Sequence, residues 1–81
     1  MKIQVRLFAA ARQLCDASEI EVDVPAGSNV GQLRSALAEQ YPALAALAPH
    51  VMFAAASQYV SDKTPLAADV EIACIPPVSG G

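Results

Sequence analysis

Lys2-Ile-Gln-Val-Arg-Leu-Phe8 alternates apolar and polar residues, with Ile3, Val5 and Leu7 facing one way and Lys2, Gln4 and Arg6 the other. Side chains of an extended chain point to alternate sides, so this period of two predicts a strand buried on one face only. Glu19–Val24 repeats the pattern, with Ile20, Val22 and Val24 inward and Glu19, Glu21 and Asp23 outward. Between the two, Ala9–Cys15 is alanine-rich, holds Arg12, and suits a helical turn or short helix. Strands joined by so short a link predict an antiparallel hairpin, with a connection longer than a tight turn.

Moving outward from that hairpin, Pro25-Ala26-Gly27 breaks the strand and Ser28 is placed to cap a helix. Val30, Leu33, Leu37 and Tyr41 form a helical stripe that would lie on a core, and Pro42 stops it. Ala43–Ala48 suits a second short helix before Pro49. Val51–Ala56 and Tyr59–Val60 read as short strands around a Ser57-Gln58 turn. Ser61–Asp69 reads as a loop whose Leu66 dips into the core. Val70–Ile75 is the last strand, with Val70, Ile72 and Cys74 on one face and Glu71, Ala73 and Ile75 on the other. Pro76-Pro77 ends sheet pairing, since neither residue can donate a ladder hydrogen bond. The element order predicts an α+β domain with its main helix packed on one sheet face. No internal repeat, linker or low-complexity tract interrupts it.

At 81 residues the chain has room for one hydrophobic core. Apolar residues reach 54% and charged residues only 16%, which suits a compact domain. The formal net charge is −3, and the five cations Lys2, Arg6, Arg12, Arg34 and Lys63 are scattered. Nucleic-acid binding needs clustered cations to displace counterions, and anionic membranes need the same, so neither partner is expected. The longest apolar runs, Ala43–Ala48 and Val51–Ala56, are too short to cross a bilayer. Met1–Phe8 has no apolar segment of the signal-peptide kind. Cys15 and Cys74 lie far apart without metal-type spacing and read as free thiols in a reducing compartment, which predicts a cytoplasmic protein.

The residue inventory argues against catalysis by this chain itself. His50 is the single histidine, beside Pro49 in an expected loop, with no carboxylate or thiol near it in sequence. Glu19, Glu21 and Asp23 resemble a carboxylate cluster but occupy alternate outward positions of a strand, where a solvated face accounts for them. A nucleophilic cysteine needs an activating base or a positive environment, and only Arg12 lies near Cys15. Cys74 faces inward with Ile72 and reads as a small hydrophobe. Gly27-Ser-Asn-Val-Gly31 hints at a phosphate loop, but Gln32 stands where that motif needs Lys, so a turn and helix cap explain it. No metal site is expected.

The end of the chain remains. Pro76-Pro-Val-Ser-Gly-Gly81 leaves the last strand and finishes in two glycines. At ordinary glycine usage, a terminal Gly-Gly arises by chance in about one chain in 200. A frayed terminus is the plain reading. Three features favour function: the prolines stiffen the exit, six extended residues reach about 20 Å, and glycines pass through a narrow channel. A carboxylate is a poor electrophile, so the tail requires activation by a partner. Reaction with ATP would form an acyl-adenylate open to attack by an amine or by a sulfur nucleophile. The two outcomes are an isopeptide to another protein and a C-terminal thiocarboxylate that carries sulfur.

These residues resemble the MoaD-like branch of the ubiquitin-like sulfur carriers, the small subunits of molybdopterin synthase. The likeness runs through Leu7-Phe8-Ala9, Ala11-Arg12, the Val30–Leu37 helix, Tyr59-Val60-Ser61, Pro65-Leu66 and Asp69–Ala73, and is most specific in Ile75–Gly81. It implies a β-grasp fold, a mixed sheet with the first and last strands parallel at its centre, over residues 1–75, and an extended, flexible Gly-Gly tail over 76–81. A cognate adenylating enzyme of the E1 type would activate Gly81 with Mg-ATP, and a sulfur donor would convert it to a thiocarboxylate. The large synthase subunit would accept the tail and pass sulfur to a cyclic pyranopterin precursor. By position, Phe8, Tyr59 and Ile75 would dock on partners and Arg12 would contact the adenylating enzyme. Gly80, Ser79, Val78, Pro77 and Pro76 would thread the partner site.

The family pattern often has Asn before the hairpin turn and Gly-Asp before the last strand, where this chain has Ala56 and Ala68-Asp69. Ile75 replaces a common aromatic. These departures bear on the choice of partner more than on the Gly-Gly chemistry. On this reading the chain binds no cofactor, is no enzyme alone, and works in a hetero-oligomer with the large subunit. Carriers for thiamine or tRNA thiolation, and ubiquitin-like protein modifiers, share the terminal Gly-Gly.

Overall fold

The computed structural model describes residues 1–77. The elements are β1 (Lys2–Leu7), α1 (Ala9–Cys15), β2 (Glu19–Asp23), α2 (Val30–Gln40), 3-10 turns at Pro42–Leu44 and Ala48–His50, β3 (Met52–Ala55), β4 (Gln58–Val60) and β5 (Glu71–Ile75). Among the described residues the strands form one sheet in the order β2-β1-β5-β3-β4. β1 runs antiparallel to β2 and parallel to β5, and β3 runs antiparallel to both β5 and β4. The first and last strands therefore lie side by side at the centre, the mixed sheet expected of a β-grasp fold.

Alternation within the strands decides which sheet face is covered. Ile3, Val5 and Leu7 from β1, Ile20 and Val22 from β2, Phe53 from β3, and Ile72 and Cys74 from β5 are buried in one core with Val30, Leu33 and Leu37 of α2. Burying each large side chain contributes about 1.5–3 kcal/mol, so this shared layer holds α2 across the sheet. Leu66 enters the same core from its loop.

The start of α2 differs from the sequence expectation. Asn29, not Ser28, is the cap: its side-chain oxygen accepts from the Gln32 N–H at 2.9 Å, and Gln32 Oε1 accepts from the Asn29 N–H at 2.9 Å. Ser28 is turned inward and its hydroxyl donates to the Pro25 carbonyl at 2.6 Å. The N–H groups of Val30 and Gly31 donate to the Thr64 and Asp62 carbonyls, so the loop after β4 satisfies the helix start. That approach leaves little room at Gly31, where a Cβ would lie 3.3 Å from the Asp62 carbonyl oxygen.

The other end of α2 secures the sheet edge. The Gln40 side chain donates to the Asp23 carbonyl at 2.7 Å and accepts from the Asp23 N–H at 2.9 Å, pairing part of an exposed edge strand. The Tyr41 hydroxyl donates to the Glu21 carbonyl at 2.7 Å. Beyond it, two separate 3-10 turns replace the single short helix expected over Ala43–Ala48. Pro42 opens the first turn and Pro49 is the second residue of the other; each lacks an N–H and cannot extend an α-helical ladder. The hairpin turn is Ala56-Ser57, one residue earlier than expected, because Ala55 pairs with Gln58. Val70 is half-buried and precedes the last strand, which begins at Glu71.

Candidate docking face and chain exit

The face of the sheet away from α2 is built from the residues that the core leaves out. One cross-strand row runs Glu19, Arg6, Ala73, Ala54, Tyr59, with each residue opposite the next. Two alanines at its centre make a low floor between the taller Arg6 and Tyr59. In the next row Ile75 lies opposite Met52. The result is an open groove of about 710 Å3, floored by Ala54 and Ala73 and walled by Arg6, Phe8, Ile75 and Tyr59, with Ala56 and Ser57 at the hairpin tip.

Phe8, Tyr59 and Ile75, singled out from the sequence, thus meet in one groove. Phe8 is 42% exposed and Tyr59 65% exposed, while Ile75 is half-buried. Phe8 stands at the start of α1, its carbonyl accepting from the Ala11 and Arg12 N–H groups. Arg12 is not in the groove itself; it borders a separate hollow shared with Arg6, Phe8 and Ser18. The basic side chain and the apolar groove are adjacent through Arg6 and Phe8. At the end of β5, Pro76 is buried and Pro77 exposed, so the chain leaves from a central strand beside the groove. The expectations for Val78, Ser79, Gly80 and Gly81 lie outside the described residues.

The other candidates are accounted for locally. Glu21 accepts from Gln4 at 2.8 Å and lies 3.4 Å from Lys2 Nζ, while Glu19 and Asp23 stand opposite Arg6 and Lys2. These carboxylates form an exposed cross-strand ladder. Burial pushes the Cys74 thiol up to about 11, with the Arg34 charge offsetting a small part, and burial also raises the Cys15 thiol. A thiol held protonated is a poor nucleophile. His50 is exposed in the second 3-10 turn. Among the described residues no group of three or more His, Cys, Asp or Glu side chains is placed to hold a metal, and no helix is long and apolar enough to cross a membrane.

Sequence reasoning missed five contributors. Ala54, Ala73 and Arg6 form the groove, and Met52, 50% exposed, flanks Ile75. The alternation already put Ala73 and Arg6 on this face; only the strand order shows that they are neighbours. Arg34 was the fifth. Its Nη1 donates to the Ala48 and Val51 carbonyls at 2.6 and 2.7 Å, its Nε and Nη2 donate to Asp62 Oδ1 at 3.2 and 2.9 Å, and its guanidinium lies 5.0 Å over the Phe53 ring. Its place beside Leu33 on the apolar side of α2 was the available signal.

Chemically, this face offers apolar area for binding and, among the described residues, no built reacting group, and the chain exit lies beside it. Residues 5–81 match the ThiS family. The chain is 36% identical to a molybdopterin synthase sulfur carrier subunit of Caenorhabditis briggsae, covering 100% of this chain and 99% of that one. It is 32% identical to a protein of the same name from Arabidopsis thaliana, covering 100% and 84%. Its fold is similar to the crystal structure of SAMP1 from Haloferax volcanii, with TM-score 0.84 and 27% identity over 100% of both chains.

Proposed function

The chain belongs to the ThiS family, and we propose that it is the sulfur carrier subunit of a molybdopterin synthase, with Gly81 as the group that carries sulfur. The observation that carries this reading is the union of a terminal Gly-Gly with a chain exit from the central strand, beside an apolar groove. Full-length likeness to relatives named as sulfur carrier subunits supports it.

In this mechanism the body of the chain is a handle and the terminus is the cargo site. An adenylating partner takes hold of the groove and of Arg12, and positions the Gly81 carboxylate on ATP. The carboxylate oxygen attacks the α-phosphorus, pyrophosphate leaves, and the mixed anhydride turns a poor acyl donor into a good one. A sulfur nucleophile from a donor then attacks the Gly81 carbonyl carbon and AMP leaves. Where that nucleophile is the outer sulfur of a donor persulfide, the product is an acyl disulfide, and a thiol reductant cleaves its S–S bond to leave the thiocarboxylate. In the large subunit that sulfur is transferred to a pyranopterin precursor, and hydrolysis returns the Gly81 carboxylate. Phe8, Tyr59 and Ile75 supply apolar area for docking, in the pattern of a buried anchor with a polar rim. Pro76 and Pro77 hold the tail at a fixed exit.

The test is intact mass after incubation with the adenylating enzyme, Mg-ATP and a sulfur source. Replacement of one terminal oxygen by sulfur, absent when Gly81 is deleted, is the expected result. No change in mass, with the enzyme active on another carrier, would overturn the reading.

A further inference from the structure

We propose that Arg34 is a positioning residue for the docking groove, holding the β3–β4 wall in place from the opposite side of the sheet; this rests on the reading of the groove as a docking face. A single guanidinium grips the hairpin at three points. Val51, whose carbonyl it binds at 2.7 Å, immediately precedes β3. Asp62, bound at 2.9 and 3.2 Å, follows shortly after β4. Phe53, under the guanidinium at 5.0 Å, lies within β3. On the far face the same hairpin supplies Ala54, Ala56, Ser57 and Tyr59 to the groove.

The hairpin needs such a clamp. β4 has three residues and, among the described residues, forms an edge of the sheet and pairs only with β3. Its two-residue turn places Ala56 at φ 50 and Ser57 at φ 66, a geometry that favours Asn-Gly and is unfavourable for residues with a Cβ. Backbone held in such a region persists only where the surroundings over-determine it. Arg34 fixes the base of the hairpin that carries this turn, because its planar fork has enough donors for two carbonyls and a carboxylate while it stacks on a ring. A lysine ammonium cannot reproduce that set.

The experiment compares the whole chain with Arg34→Lys, each titrated with purified large subunit of a molybdopterin synthase at a temperature where both are folded, and follows amide hydrogen exchange strand by strand. Arg34→Lys should weaken binding roughly tenfold, the size of effect seen for residues that couple to a site without touching the ligand. It should also speed exchange in β4 while leaving β2 unchanged. Adding Ser57→Gly, which relieves the turn, should restore most of the affinity. A purely structural Arg34 would lower the melting temperature and leave folded-state affinity and β4 exchange as they were, which would overturn the proposal. If Arg34→Lys does not fold, Asp62→Asn removes one of the grips and should give a smaller loss, about two- to threefold, in the same direction; an unchanged affinity there would overturn it. Should the unsubstituted chain fail to bind the large subunit, the reading of the groove falls. The clamp is then decided by exchange alone: selective loosening of β4 supports it, and uniform change overturns it.

Discussion

On the covered face of the sheet, Ile3, Val5, Phe53, Ile72 and Cys74 are sealed under α2; one residue along the same strands, Arg6, Ala54, Ala73 and Ile75 line an open groove. Backbone geometry is common to both faces, so side-chain size and polarity separate them. The covered face uses large aliphatic and aromatic groups that interlock. The open face puts two alanines at its centre and tall residues around them, leaving a depression that another surface can fill. One face supplies stability and the other is available for binding; alternation separates them residue by residue, and the proposed Arg34 clamp on the β3–β4 hairpin is the link between them.

Four substitutions or conditions test how separate the faces are. Phe53→Ala strikes the covered face hardest, removing a fully buried ring and its contact with Arg34; thermal or urea denaturation should show a loss of about 3–5 kcal/mol. A loss under 1 kcal/mol would mean that the core is less tightly packed than its burial indicates.

Alkaline pH strikes the same face through Cys74. Its folded pKa, about 11, lies above the ordinary 9.0, so between those values the unfolded chain has lost the thiol proton and the folded chain has kept it. Fewer protons on the unfolded state mean that stability is intact below about pH 9, falls as pH rises, and levels off above about 11. Two units correspond to at most about 2–3 kcal/mol. Denaturation midpoints across this range should fall more steeply for the natural chain than for Cys74→Val.

Tyr59→Ala addresses the open face. It should leave stability within about 0.5 kcal/mol while weakening partner binding by about 2 kcal/mol, measured by titration with the large subunit. A large stability loss with unchanged binding would reverse the division between the faces. Lys2→Ala should do least, because its ion pair with Glu21 is exposed and 3.4 Å long; less than about 0.5 kcal/mol is expected in a urea melt.

The sequence alone carried the period-two alternation of Lys2–Leu7 and Glu19–Asp23, the helical stripe of Val30, Leu33 and Leu37, the stop at Pro42 and the break at Pro76. Each is a property of adjacent residues, since strand and helix periods are set by local backbone geometry. The terminal Gly-Gly was legible for the same reason. Other features depended on distant segments. Asn29 rather than Ser28 caps α2 because the loop at 62–64 meets the helix start, and Ala73 becomes a groove floor only because β5 inserts between β1 and β3. Arg34 looked like one of five scattered cations; its partners lie 14 to 28 residues away. Hydrogen bonds and cross-strand neighbours of that kind form only once the chain has closed on itself, so the tertiary structure decided them.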